Sequence, residues 1–129
     1  MIGPTLTIKK DDLLYEIIDP GEYLARVPAL PEIIQRQYIK VRFQIFEDGE
    51  VITNLDVEFD TQKPRKLIYF LRSTGREVSE EEDFQIQPAT WKGAECIVRI
   101  VTNEWTDVAT GEKKEKNVVV RFLSKADAL

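Results

Sequence analysis

Tyr38, Lys40, Arg42, Gln44 and Phe46 recur at every second position of the stretch YIKVRFQIF, so in an extended chain their side chains share one face. Rings alternating with cations suit a single-stranded polynucleotide, because bases stack on aromatic faces for about 1–3 kcal/mol each while cations neutralise the phosphates between them. The two-residue rise of a strand, about 6–7 Å, is near the spacing of successive extended nucleotides. A second cluster follows Trp105, where the tract DVATGEKKEKN carries Lys113, Lys114 and Lys116. Tyr38, Phe46 and Trp105 are therefore the expected base platforms, and Lys40, Arg42, Lys113, Lys114 and Lys116 the expected phosphate contacts. The competing reading is structural: Asp56 and Glu58 on the next strand pair with these cations, the lysine tract is a solvated turn, and Trp105 packs on its own hairpin.

The residue types exclude much other chemistry. Histidine is absent, which removes the commonest general base and transition-metal ligand. The glycines are scattered and form no phosphate-binding loop. An enzyme would have to run on carboxylates such as Asp56 and Glu58, and nothing gathers those around a cleft, so a non-enzymatic protein without metal or cofactor is expected. The single cysteine, Cys96, lies inside an apolar run and reads as a buried thiol behaving as a small hydrophobe.

Charge is unevenly spread. Residues 91–125 hold seven bases and five acids, a net of +2, which leaves −7 for the rest of a chain whose net charge is −5. Local patches govern contact with a polyanion, while the overall sign weakens long-range steering, so modest, salt-sensitive and sequence-nonspecific binding is expected. At 129 residues, with no long apolar stretch and no apolar signal core near Met1, the sequence reads as one soluble cytoplasmic domain that does not enter a membrane.

The elements that must hold these residues follow from periodicity. Ile39, Val41, Phe43 and Ile45 alternate, as do Val51, Leu55, Val57 and Phe59, around the turn signal Glu47-Asp48-Gly49-Glu50. A three-residue loop with Gly49 left-handed would set both apolar sets on one face and place Lys40 opposite Asp56, Arg42 opposite Asn54 and Tyr38 opposite Glu58. In DTQKPRKLIYFLRSTG, Asp60 or Thr61 is the expected cap of a helix with Pro64 in its first turn, a Leu67, Ile68 and Leu71 stripe, and Gly75 as its stop. GEYLARVPAL reads as a further strand, Glu80 to Asp83 as a solvated acidic loop, and WKGAECIVRIVTNEWT and NVVVRFL as two strands joined by the lysine tract. Trp91, beside a glycine at a strand start, reads as core.

That last hairpin is apolar on both faces: Cys96, Val98 and Ile100 against Ile97 and Val101, and Val118, Val120 and Phe122 against Val119 and Leu123. Strands apolar on both sides are covered on both sides. The second cover is either the segment DDLLYEIID or a second subunit, in which case Ile97, Val101, Val119 and Leu123 form a self-association interface and the protein is an assembly module without nucleic acid. Three strands, a helix and two strands is the order of an OB-fold, a five-stranded Greek-key barrel with its helix between strands 3 and 4; an open α+β sheet shares that order. The domain plan is an N-terminal segment 1–20, open to a helical conformation and packed on the barrel, an OB-fold domain over 21–124, and a short tail 125–129.

The chain resembles a family of small phage and mobile-element proteins similar to single-stranded-DNA-binding OB-folds. The likeness rests on G-x-Y-x-A-x-V at Gly21, Tyr23, Ala25 and Val27, then YIKVRFQIF, KLIYFLRSTG, WKGAECIVRI and a closing basic hairpin, over residues 21–123; the tract PALPEIIQRQ departs from the pattern. The resemblance implies single-stranded DNA as partner, in replication or recombination. In an OB-fold the ligand crosses strands 2 and 3 between the loops joining strands 1 to 2 and 4 to 5, which here are PEIIQRQ with Arg36 and the lysine tract.

Overall fold

The computed structural model describes residues 17–78 and 85–126. Among the described residues six strands and one helix run in the order β1 (Gly21–Arg26), β2 (Glu32–Ile34), β3 (Tyr38–Glu47), β4 (Glu50–Asp60), α1 (Arg65–Ser73), a 3-10 turn (Pro88–Thr90), β5 (Glu95–Thr106) and β6 (Lys113–Leu123). All strand pairs are antiparallel. β4 lies on one edge of β3, and β1 and β2 share the other: β1 pairs with Gln44 to Phe46, β2 with Tyr38 to Lys40. The sheet continues from β1 to β5 and β6.

The fold is mostly β with one helix, as expected, but the sheet does not close into a barrel. No ladder joins β4 to β6 among the described residues. Leu55 to Glu58 face Lys116 to Val119 across a gap of about 190 Å³ at which Lys66 of α1 also stands. The sixth strand, β2, forms where a loop was expected, in the departing tract; Gln35 and Arg36 at φ 52° and 57° make its tight return to β3.

Each apolar periodicity produced its element, and two β-bulges changed the registers. The β3–β4 turn holds only Asp48 (φ 52°) and Gly49 (φ 81°) between the pair Glu47 and Glu50. Both left-handed conformations match the twist of the flanking strands, which glycine and aspartate tolerate best. A register shift then inserts Ile52 between the pairs Phe46–Val51 and Ile45–Thr53. The expected three-residue loop is therefore wrong, and so is its register: Lys40 stands opposite Glu58, Arg42 opposite Asp56 and Tyr38 opposite Asp60. The bulge restores the parity that the shorter turn reverses, so Phe43, Val57 and Phe59 still share the core, whereas Val51 is turned outward.

A second shift makes Val120 the extra residue of β6, between the pairs Arg99–Arg121 and Ile100–Val119. Val119 and Phe122 consequently both point inward, and Val120 is half-exposed. The strict alternation expected for this strand fails there. Val119, expected at a subunit interface, is core at 3% exposure; Ile97, Val101 and Leu123 remain part-buried.

Helix α1 covers the inner face. Phe70, fully buried, has its ring centroid 5.3 Å from Phe43, 5.2 Å from Phe59, 5.5 Å from Phe122 and 5.6 Å from Trp91. Neither Asp60 nor Thr61 caps α1: Pro64 takes the capping position without a side-chain bond, while Asp60 accepts from the Gln62 N–H and Gln37. The stop is as expected. Gly75 at φ 93° lets its own N–H reach the Arg72 carbonyl and the Arg76 N–H the Leu71 carbonyl. Trp91 and Cys96 are buried, and burial pushes the Cys96 thiol up to about 11.

Of the expected N-terminal segment, residues 1–16 lie outside the described residues, as do the acidic run Glu80 to Asp83 and the last three residues of the tail. Where the chain enters, the Ile18 N–H donates to Asn117 Oδ1 at 2.9 Å and Asn117 Nδ2 donates to the Ile18 carbonyl at 3.0 Å, seating Ile18 against the core. No helix among the described residues is long and apolar enough to cross a membrane.

Candidate nucleic-acid interface

Tyr38, Lys40, Arg42, Gln44 and Phe46 do share the outer face of β3, but acids surround their cations. Arg42 grips Asp56 with two bonds, Nε to Oδ1 at 2.9 Å and Nη2 to Oδ2 at 3.2 Å, and the Lys40 ammonium lies 3.7 Å from the same carboxylate. The fork raises Arg42 above its ordinary pKa and holds Asp56 below the usual carboxylate range. Lys40 is also flanked by its cross-strand neighbours Glu32 and Glu58, and Tyr38 by Asp60. Four acids thus border two cations, and a phosphate approaching this face would meet net negative charge. Phe46 is part-buried, and the Arg26 guanidinium stands 5.1 Å from its ring centroid, held there by a 2.8 Å bond to Glu95.

The β5–β6 hairpin is arranged differently. Alternation puts Arg99, Val101, Asn103 and Trp105 on its outer face, opposite Arg121, Val118, Lys116 and Lys114 in turn. Its acids Glu104 and Glu115 oppose one another on the other face, between the pairs Asn103–Lys116 and Trp105–Lys114. Four cations and one indole therefore share a surface on which, from Arg99 to the hairpin turn, neither β5 nor β6 places an acid; Glu95, at the start of β5 on the same face, is tied to Arg26 and Lys125. Lys113, paired with Thr106, falls on the acidic side and does not join Lys114 and Lys116.

Trp105 is 43% exposed, and the Lys116 ammonium lies 5.5 Å from its ring centroid. Lys114 binds Asp107 at 2.9 Å, which raises the lysine and lowers the aspartate. Arg99 and Arg121 stand directly opposite each other, both exposed, with no ion pair to either among the described residues; Glu22 on β1 is the other cross-strand neighbour of Arg99. Like charges in that position repel. These arginines were missed by sequence reasoning. The spacing of Arg99 to Trp105 was legible, but the side on which Arg121 lands depends on the bulge at Val120.

Beyond the free edge of β6, an open groove of about 980 Å³ separates that strand from α1. Among the described residues Lys63, Arg65, Lys66 and Arg121 are the charged groups lining it, and no acid does. Burial alone lowers the Lys66 ammonium below its ordinary value. Among the described residues no cluster of acids and cysteine could hold a metal ion. Compared with known proteins, the chain matches no family model and no curated protein sequence.

Proposed function

We propose that the protein is a non-enzymatic, sequence-nonspecific binder of single-stranded DNA, serving replication or recombination of a phage or mobile element in the cytoplasm. The strand lies on the outer face of the β5–β6 hairpin, not on β3. The observation that carries this reading is the sorting of charge across the hairpin, with Arg99, Arg121, Lys114, Lys116 and Trp105 on one side and Glu104 and Glu115 on the other. A like-charged arginine couple with no ion pair among the described residues costs stability in the free protein and becomes favourable against phosphates. The exposed indole adds a stacking platform at the end of the same surface.

Two further points support the reading. With β2 treated as an insertion between β1 and β3, the order β4-β3-β1-β5-β6 and the helix between β4 and β5 follow OB-fold connectivity, with the β4–β6 seam left open. The resemblance of residues 21–123 to phage single-strand binders points to the same ligand.

Titration with labelled oligo-dT at two salt concentrations tests it. Binding should quench Trp105 fluorescence, and with three phosphate contacts, or four if Lys114 leaves Asp107, log K should fall against log salt with a slope of about −2.1 to −2.8. Absence of quenching and of any mobility shift at low salt would remove the proposal.

A second reading, self-assembly, is favoured by a different observation. Val51, Phe46, Leu24, Ile97 and Leu123 are successive cross-strand partners, forming an apolar row over five strands on the outer face. Light scattering decides it: a strict monomer at high concentration eliminates assembly through this row.

A further inference from the structure

The groove between α1 and β6 lies beside the proposed nucleic-acid face and has a different chemistry. Its floor is a strand edge. Six consecutive residues, Val118 to Leu123, line it, and β6 pairs only with β5, so among the described residues the backbone N–H and C=O groups on its other side have no ladder partner. An unpaired edge presents donors and acceptors in alternation along the strand. A DNA backbone offers phosphate acceptors to the N–H groups and no donor to the carbonyls. A second polypeptide in extended conformation satisfies both.

Side chains narrow the choice. The floor between the backbone groups is aliphatic and aromatic, whereas every charged group at the rim among the described residues, Lys63, Arg65, Lys66 and Arg121, is a cation. Tyr69, 48% exposed, closes the helical wall. The groove volume of about 980 Å³ is at the upper end of the range for ligand sites. The bulge at Val120 interrupts the edge, so regular pairing is confined to the few residues on either side of it. We infer that this groove is a docking site for a short partner peptide of alternating acidic and apolar residues, which adds as a strand to β6 and sets its carboxylates against the rim cations. Main-chain bonds supply affinity in this mode, and alternate side chains supply selectivity. Lys66, held partly out of water at the groove wall, is the cation with most to gain from a carboxylate.

The probe is a fluorescein-labelled peptide of alternating Glu and Val, about ten residues long. Its controls are the Lys/Val counterpart and the same Glu/Val sequence with alternate backbone amides methylated. On the full chain, the acidic peptide should bind at least about tenfold more tightly than either control. Lys66→Glu should weaken it by at least about tenfold, and Lys63→Glu, at an exposed position on the same rim, should weaken it in the same direction. Oligo-dT affinity should stay within about twofold in both variants, since neither residue lies on the β5–β6 face. Equal binding of the methylated peptide, or no binding of the acidic one, overturns strand addition. Loss of oligo-dT binding in Lys66→Glu with the peptide unaffected assigns the groove to nucleic acid and also overturns the inference. Loss of oligo-dT binding from Arg99→Glu, by contrast, bears on the proposed function alone.

Discussion

Arg121→Glu should stabilise the protein while weakening its hold on DNA. Arg99 and Arg121 are direct cross-strand partners on an exposed face, with no ion pair to either among the described residues. Such pairs are worth roughly 0.2–1 kcal/mol, favourable for opposite charges and unfavourable for like ones, so the substitution exchanges repulsion for attraction. Exposure and salt screening trim the swing to about 1 kcal/mol. For a chain of this length that corresponds to a rise of roughly 3–5 °C in Tm at low ionic strength. On the binding side, one phosphate contact is lost and a repulsive carboxylate gained, which should lower the magnitude of the salt slope by about 0.7 and the affinity by about tenfold or more. Thermal melts and oligo-dT titrations at matched salt measure both. Because Arg121 also reaches the groove, Arg99→Glu should be run beside it, and the double variant, which restores like charges, should lose the gain in Tm. A fall in Tm on Arg121→Glu, or unchanged DNA affinity and slope, refutes the reasoning.

Three other outcomes follow from the same geometry. Trp105→Ala should cost about 1–3 kcal/mol of oligo-dT binding with little loss of stability, since the ring is a stacking platform at the hairpin end; unchanged affinity by anisotropy would show that it only packs. Phe70→Ala, which empties the centre of a ring cluster formed with Phe43, Phe59, Phe122 and Trp91, should destabilise by about 3–5 kcal/mol in urea unfolding. Asp56 is held below its ordinary value of 3.8 chiefly by the Arg42 bond, so its contribution is complete above the unfolded value and is lost as pH falls through the lowered one; Asp56→Asn should flatten that part of the acid decline in Tm.

Much of the architecture was legible before any coordinates. Period-two alternation marked β3 and β4, a Leu67, Ile68 and Leu71 stripe ending at Gly75 marked α1, an apolar run marked Cys96 as buried, and a place beside a glycine at a strand start marked Trp91 as core. Such patterns are local. The side a residue faces follows from its own strand or helix geometry, and burial of the apolar set enforces it. The candidate site was legible only in part. Trp105, Lys114 and Lys116 lie together where their spacing put them, whereas Lys40 and Arg42 are taken by Asp56, and Lys113 falls on the wrong side.

What the sequence determined by itself was which residues are extended, which are helical and which are apolar on a given side. Only the tertiary structure decided where each strand's register slips, because an extra residue at Ile52 or Val120 leaves the composition of the strand unchanged and is settled by the fit of partners across the sheet. One inserted residue moved Arg42 onto Asp56 and another set Arg121 against Arg99. The groove was likewise invisible along the chain, since Lys63 to Tyr69 and Val118 to Leu123 meet only when α1 is laid on the core. Charge and exposure at a surface depend on such long-range neighbours, and a linear pattern carries no distance between them.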